Sequence, residues 1–141
     1  MSPDAPQLYG LAIGLEDAKK VAAPALAEAV KNNWRMAVAV VDTAGDLVYF
    51  ERMDATQIGS ATVSLDKARS AARFKRPTKA FQEMLASGGD GMRVLGINGA
   101  VPVDGGVPIV IDGKIVGAIG LSGGTSAQDG QCAMAGVKAI A

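Results

Sequence analysis

The C-terminal third of the chain contains a pattern that specifies one hairpin followed by one helix. Two apolar runs, 107–111 and 114–121, are separated only by an Asp-Gly pair, which is the strongest short-range signal for a two-residue hairpin turn. The second run leads through small residues into Thr125 and Ser126, and a glutamine and an aspartate follow at capping-box spacing. The pattern predicts two antiparallel strands and a capped final helix, whose first N–H groups are free to bind an anion or a carbonyl oxygen.

Apolar residues at helical spacing predict three further helices. Two of them cover 15–33 and 58–75, and Pro24 is expected to kink the first or to end its first half. Thr78 is placed to cap a short helix that continues to residue 85. One of these helices precedes residues 36–52, and the other two follow them.

β-Branched and apolar residues predict a second hairpin near the N-terminus. The runs 36–41 and 47–52 flank a turn that contains Gly45, whereas 96–106 is expected to be irregular or an edge strand. Strands joined by tight turns are antiparallel. The chain is therefore predicted to form a single α+β domain over 1–141, with one antiparallel sheet and helices on its faces.

Composition excludes several classes of function. The chain has no histidine, one cysteine and a formal net charge of +0, so histidine-ligated metals and Ser–His or Cys–His nucleophiles are excluded. A neutral chain without interleaved aromatic residues predicts no nucleic-acid partner. Residues 1–6 show no signal sequence, and the longest apolar stretch is the hairpin itself, so we predict a cytoplasmic protein without a membrane partner.

Lys67 is the most promising charged residue of the second predicted helix. It shares a helix face with serines and other small residues, so its side chain can reach inward to a ligand. The remaining basic residues of this helix fit a solvated amphipathic face: Arg69, Arg73, Lys75 and Arg76. Arg52 and Asp54 follow a predicted strand, where a structural salt bridge and a ligand contact explain them equally well.

Small residues precede the cap of the final helix. Glycines there allow a ligand to approach the backbone closely, and the neighbouring hydroxyls add hydrogen-bonding groups. A well-capped helix after a tight turn explains Thr125, Ser126 and Gln128 without any ligand. Capping does not explain the number of small residues, so a ligand seat and a helix cap both remain open.

Several short motifs occur in the order found in one known family: 39–42 with Gly45, 52–54, Lys67-Ala68, 105–109, 117–123 and Gln128-Asp129. With them the chain resembles, over nearly its whole length, the GlcG/HbpS family, which includes the C-terminal domain of PduO-type corrinoid adenosyltransferases. The resemblance implies a profilin-like fold with a five-stranded antiparallel sheet, and a homo-oligomer between a tetramer and an octamer. It also implies haem, but characterised relatives bind haem through a histidine or a comparable axial donor. Because this chain lacks histidine, no cofactor and no metal are predicted, and Tyr9, Tyr49 or a methionine would have to replace histidine if haem bound.

The motifs and the resemblance together predict a binding protein for a small organic acid or carbonyl compound. The predicted pocket lies between the second helix and the segments 105–106 and 120–129. Its predicted ligand contacts are Arg52, Lys67, Gly105, Gly106, Ser122, Gly123, Gly124 and Thr125.

Two alternatives remain open. The first is an isomerase, tautomerase, lyase or hydratase of small-organic-acid catabolism that uses Lys67 with Asp54 or Asp129 as acid and base. A strongly perturbed pKa in the pocket would favour this enzyme. The second is a structural subunit without a ligand, favoured if the glycine-rich segment lies in an interface.

Overall fold

A computed structural model describes residues 7–140. Residues 1–6, where no signal sequence is predicted, lie outside the described residues. In chain order the elements are α1 (Leu15–Lys31), β1 (Ala37–Val41), β2 (Leu47–Arg52), α2 (Ser60–Phe74), α3 (Thr78–Ala86), a 3-10 helix (Gly89–Gly96), β3 (Gly106–Ile111), β4 (Lys114–Ser122) and α4 (Ser126–Lys138).

The strands form one antiparallel sheet in the order β2-β1-β4-β3. The predicted α+β class and both predicted hairpins are confirmed. Asp112 and Gly113 have φ angles of 51° and 76°, as a type I′ turn requires. Gly45, with φ of 89°, provides the left-handed residue of the β1–β2 turn.

The prediction of a fifth strand is wrong for the described residues. The chain before β3 does not extend along the sheet, because the backbone donors of two of its residues bind side chains of helices. Val101 N donates to Ser70 Oγ at 3.1 Å, and Asp104 N donates to Gln82 Oε1 at 2.8 Å. The start of β4 is instead bridged in parallel by Tyr9, which pairs with Ile115.

The two faces of the sheet carry different layers. On one face, α1 and α4 bury larger residues of β1, β3 and β4, including Val38, Ile109 and Ile119. On the other face, α2 packs through alanines against Ala39 and Ala118. Because these side chains are small, the axis of α2 lies close to the sheet, and this proximity shapes the candidate site.

Of the two predicted effects of Pro24, an end to the first half of the helix does not occur, because α1 continues through this residue to Lys31. Burial of Val21, Ala22, Ala25 and Leu26 stabilises the helix on both sides of the proline and offsets the lost hydrogen bond. Within residues 7–140, no helix combines the length and the apolar character needed to cross a membrane.

Candidate functional site

Lys67 and Asp129 form a buried ion pair between α2 and the first turn of α4. Lys67 Nζ lies 2.9 Å from Asp129 Oδ2, and it also donates to the carbonyl oxygen of Leu121 at 3.0 Å. The two side chains are 1% and 4% exposed, so solvent screens their attraction little. The pair joins α2, the end of β4 and the start of α4.

Asp129 is fully engaged by protein groups. Its Oδ1 accepts a hydrogen bond from Gly124 N at 2.9 Å, while Oδ2 binds Lys67. Burial raises the pKa of the Asp129 carboxyl above its ordinary value, and the hydrogen bond and charge of Lys67 offset part of that rise. The carboxylate therefore acts as an internal acceptor in this structure.

The glycines around this pair permit close packing of protein against protein. A Cβ atom on Gly105 would lie 2.7 Å from Lys67 Nζ and 2.7 Å from the Leu121 carbonyl oxygen. A Cβ on Gly106 would overlap the Lys67 carbonyl oxygen, and one on Gly120 would overlap that of Ser64. The space predicted to hold a ligand between α2 and these segments is therefore filled by α2 itself.

The residues that lead into α4 have structural partners. Thr125 and Gln128 form the predicted capping box, with bonds of 3.2 and 3.0 Å. Ser122 Oγ is buried and donates to Ser60 Oγ at 3.2 Å. A Cβ on Gly123 would overlap the Arg35 carbonyl oxygen, which accounts for a glycine at this position.

The structure does not bring Arg52 and Asp54 to the buried pair. Arg52 is paired with Ala37, which in turn is paired with Ser122, so Arg52 lies two strands from β4, or about 10 Å. Both Arg52 and Asp54 are exposed. Of the predicted site residues, the structure assembles Lys67, Asp129 and the glycines, and leaves these two apart.

A cleft of about 410 Å³ is bordered by residues that are next to this site in the sequence, since Gly130 follows Asp129 and Asp104 precedes Gly105. Three polar side chains line it, those of Lys79, Asp104 and Gln131. The other lining residues are apolar or small: Pro77, Val107, Ala127, Gly130 and Met134. The Asp104 carboxylate lies over Gly130, where any Cβ would overlap it. A volume of this size suits a small organic molecule.

Sequence reasoning missed Asp104, Lys79 and Gln131. Two signals were available, namely a glycine inside a helix at Gly130 and an acidic residue directly before Gly105 and Gly106. Neither signal reveals that α4 and the segment before β3 face each other across the cleft, because only the fold brings them together. Among the described residues, no group of three or more His, Cys, Asp or Glu is placed to hold a metal.

Comparisons with known proteins agree with this architecture. Protein GlcG of Escherichia coli K12 is 41% identical over 95 residues, which cover 67% of this chain and 69% of GlcG. The crystal structure of Klebsiella pneumoniae protein ORFY superposes with a TM-score of 0.86 at 27% identity, covering 99% of this chain and 97% of ORFY.

A crystal structure of a PduOC–haem complex shares the fold, with a TM-score of 0.81 at 24% identity over 92% of this chain and 96% of PduOC. The sequence profile described as "Haem degrading protein HbpS-like" matches residues 13–138. The resemblance predicted from the short motifs is confirmed, and the chain belongs to the HbpS-like family, together with GlcG.

Proposed function

We propose that this protein is a homo-oligomeric, cytoplasmic binding protein for a small organic acid or carbonyl compound, and that the cleft beside the buried ion pair holds the ligand. The observation that supports this most is that one cation and one anion, Lys79 and Asp104, border a cleft with an otherwise mostly apolar lining. Such a lining binds the carbon skeleton of a ligand, while a few polar groups fix its orientation.

The two charged side chains suggest how the ligand is oriented. Lys79 is exposed, and among residues 7–140 its ion pair is a long one of 4.0 Å with Glu83, so its ammonium group is available to a ligand carboxylate or carbonyl oxygen. Asp104 accepts a hydrogen bond from a ligand hydroxyl group. Gln131 Nε2 donates to Glu28 Oε2 at 2.7 Å, and its amide oxygen and second N–H can bind the ligand. In this proposal Lys67 and Asp129 are positioning residues, because they fix the segments that form the back of the cleft.

We do not assign haem, which the family description implies, to this cleft, because the nitrogen, thiolate and phenolate donors that usually bind its iron are missing or engaged. The chain has no histidine, and burial raises the pKa of the Cys132 thiol to about 12. The hydroxyl groups of Tyr9 and Tyr49 already donate to oxygens of Ala72 and Glu51. An imidazole, thiolate or phenolate ligand to iron is therefore not provided, which leaves methionine thioethers such as that of Met134 at the edge of the cleft. We expect haem titration of the purified protein to give no Soret shift.

The cleft is tested by ligand titration of matched variants. Binding of lactate, pyruvate and propionaldehyde is measured by calorimetry for the wild type, Lys79→Ala and Asp104→Asn. Lys20→Ala is the control, since Lys20 is an equally exposed lysine in a similar helical pair with Glu16 at 3.8 Å. We expect Lys79→Ala to weaken acid binding about tenfold, the effect of one charge-assisted hydrogen bond. Equal affinity in all variants would exclude this cleft.

An enzyme is the second candidate, and the raised pKa of Asp129 next to Lys67 is the observation that favours it. An isomerase or tautomerase with Lys67 and Asp129 as acid and base would exchange the methyl protons of pyruvate with D2O, which NMR detects. Asp54 is the alternative carboxylate of the acid–base pair, and the same exchange assay on Asp54→Asn tests it. Exchange abolished by Lys67→Met in a folded protein would favour the enzyme; ligand binding without exchange would favour the binding protein.

The homo-oligomer is supported by exposed apolar side chains around α3 and the 3-10 helix. Met92, Leu95 and Ile97 are 51%, 64% and 41% exposed, and clusters of this kind mark protein interfaces. We expect light scattering to give a mass between a tetramer and an octamer. Leu95→Glu should lower that mass, whereas a monomeric wild type would contradict this part of the proposal.

A further inference from the structure

Two arginines of α2 are fixed side by side against the β1–β2 turn. Arg69 Nε donates to the carbonyl oxygen of Gly45 at 3.0 Å, and Arg73 Nε donates to that of Ala44 at 2.9 Å. The residues lie one helical turn apart, so their side chains project from the same face. Among residues 7–140, each guanidinium is thus held by its Nε atom, and its terminal N–H groups remain for other partners.

Neither guanidinium group forms an ion pair within the described part of the chain, although Asp42 and Asp46 belong to the turn to which both are bonded. No carboxylate oxygen there lies within 4.0 Å of a side-chain nitrogen of Arg69 or Arg73, although other ion pairs are present. Like charges one helical turn apart repel each other. Arg73 is exposed, as predicted for a solvated helix face, and Arg69 is half-buried. Both side chains are nevertheless bonded to one turn.

The same two arginines line a cleft of about 360 Å³ between α2 and the chain around Gly99. Its other lining residues are Asp66, Ala100 and Val101. The far wall is fixed, because Val101 N donates to Ser70 Oγ at 3.1 Å and Ala100 N donates to the Ile97 carbonyl oxygen. The arginines therefore face a formed cleft as well as bulk solvent.

We infer that this cleft binds a small oxyanion, a carboxylate or a phosphate, between the guanidinium groups of Arg69 and Arg73. Guanidinium groups bind such anions through paired hydrogen bonds, and a bound anion would relieve the repulsion between the two cations. Asp66 borders the same cleft and repels an anion, so it limits the affinity. The inference does not depend on the proposed function, because the cleft shares no residue with the one beside Lys67.

The site is tested by NMR titration of 15N-labelled protein with malonate and with inorganic phosphate at constant ionic strength. We expect saturable shifts of the amides of residues 99–101 with at least one of the two anions, and the anion that saturates at lower concentration identifies the class. Arg73→Gln should weaken binding about tenfold, since it removes one charged partner. Arg93→Gln, which removes an exposed charge elsewhere, should leave the affinity unchanged.

Asp66→Asn keeps the test decisive if either arginine variant fails to fold, because it leaves both bonds to the turn intact. Removal of the repelling carboxylate should tighten anion binding severalfold. The inference is overturned if neither anion gives saturable shifts at residues 99–101, or if Arg93→Gln weakens binding as much as Arg73→Gln. Unchanged or weaker binding in Asp66→Asn would overturn it as well.

Discussion

Replacing Lys67 by methionine should destabilise the fold by about 3–5 kcal/mol at pH 7, because it leaves a buried carboxylate without its cation. Methionine retains most of the side-chain volume, so the change removes charge and hydrogen bonds and creates little cavity. The Leu121 carbonyl oxygen also loses a donor at 3.0 Å. The remaining bond from Gly124 N to Asp129 cannot compensate for the loss of a full charge.

Protonation of Asp129 sets an upper limit on the charge-dependent part of this loss. A buried carboxylate without its cation can take up a proton instead of staying charged. An ordinary aspartate has a pKa of 3.8, and protonating it costs about 1.4 kcal/mol for each pH unit above that value. The limit is therefore about 4 kcal/mol at pH 7 and about 1.6 kcal/mol at pH 5.

Without Lys67 the folded-state pKa of Asp129 rises further above its unfolded value. A carboxyl group raised in this way stabilises the fold below its unfolded pKa and loses that contribution as pH rises through the folded pKa. The penalty of the substitution should thus shrink on acidification.

Urea unfolding at pH 7 and pH 5 measures both effects. Lys20→Met, which breaks an exposed pair with Glu16, is the matched control and should change stability by less than about 0.5 kcal/mol. Adding Asp129→Asn to Lys67→Met removes the stranded charge while keeping an acceptor for Gly124 N, so the double variant should lose less than the sum of the single losses. A loss below about 1 kcal/mol at pH 7, with no dependence on pH, would refute the buried pair.

Other features of the fold give three further predictions. Gly120→Ala should lower the free energy of unfolding by about 1–3 kcal/mol or more, since its Cβ would overlap the Ser64 carbonyl oxygen. Thermal unfolding measures this loss, and the control Gly59→Ala, whose Cβ would meet open space, should be neutral. Thr125→Ala should cost about 1 kcal/mol through loss of the capping box, whereas Thr125→Ser should retain most of the stability, and equal losses would contradict the cap. Because Cys132 is buried with a thiol pKa raised to about 12, a thiol reagent at pH 8 should label it only on unfolding; rapid labelling of the native protein would show that it is accessible.

The sequence alone determined what depends on neighbours along the chain. The Asp112-Gly113 turn, the Thr125 capping box and the helical spacing of α2 are local patterns whose physics does not require the rest of the fold. Family membership also followed from short motifs in order. The absence of histidine by itself excluded imidazole-ligated haem, because no fold can supply a side chain that the chain lacks.

The roles of the residues singled out in those motifs depend on long-range contacts. Lys67 finds Asp129 at a separation of 62 residues, and no local pattern encodes which buried acceptor a lysine will meet. The glycines at 105, 106 and 120 looked like room for a ligand, yet they are small because neighbouring protein atoms, mostly of α2, occupy that space. The segment before β3 is bonded to side chains of α2 and α3, which reduced the expected five strands to four in the described chain. A sequence specifies side-chain size and charge, whereas burial decides whether a small or charged residue contacts a ligand or another part of the protein.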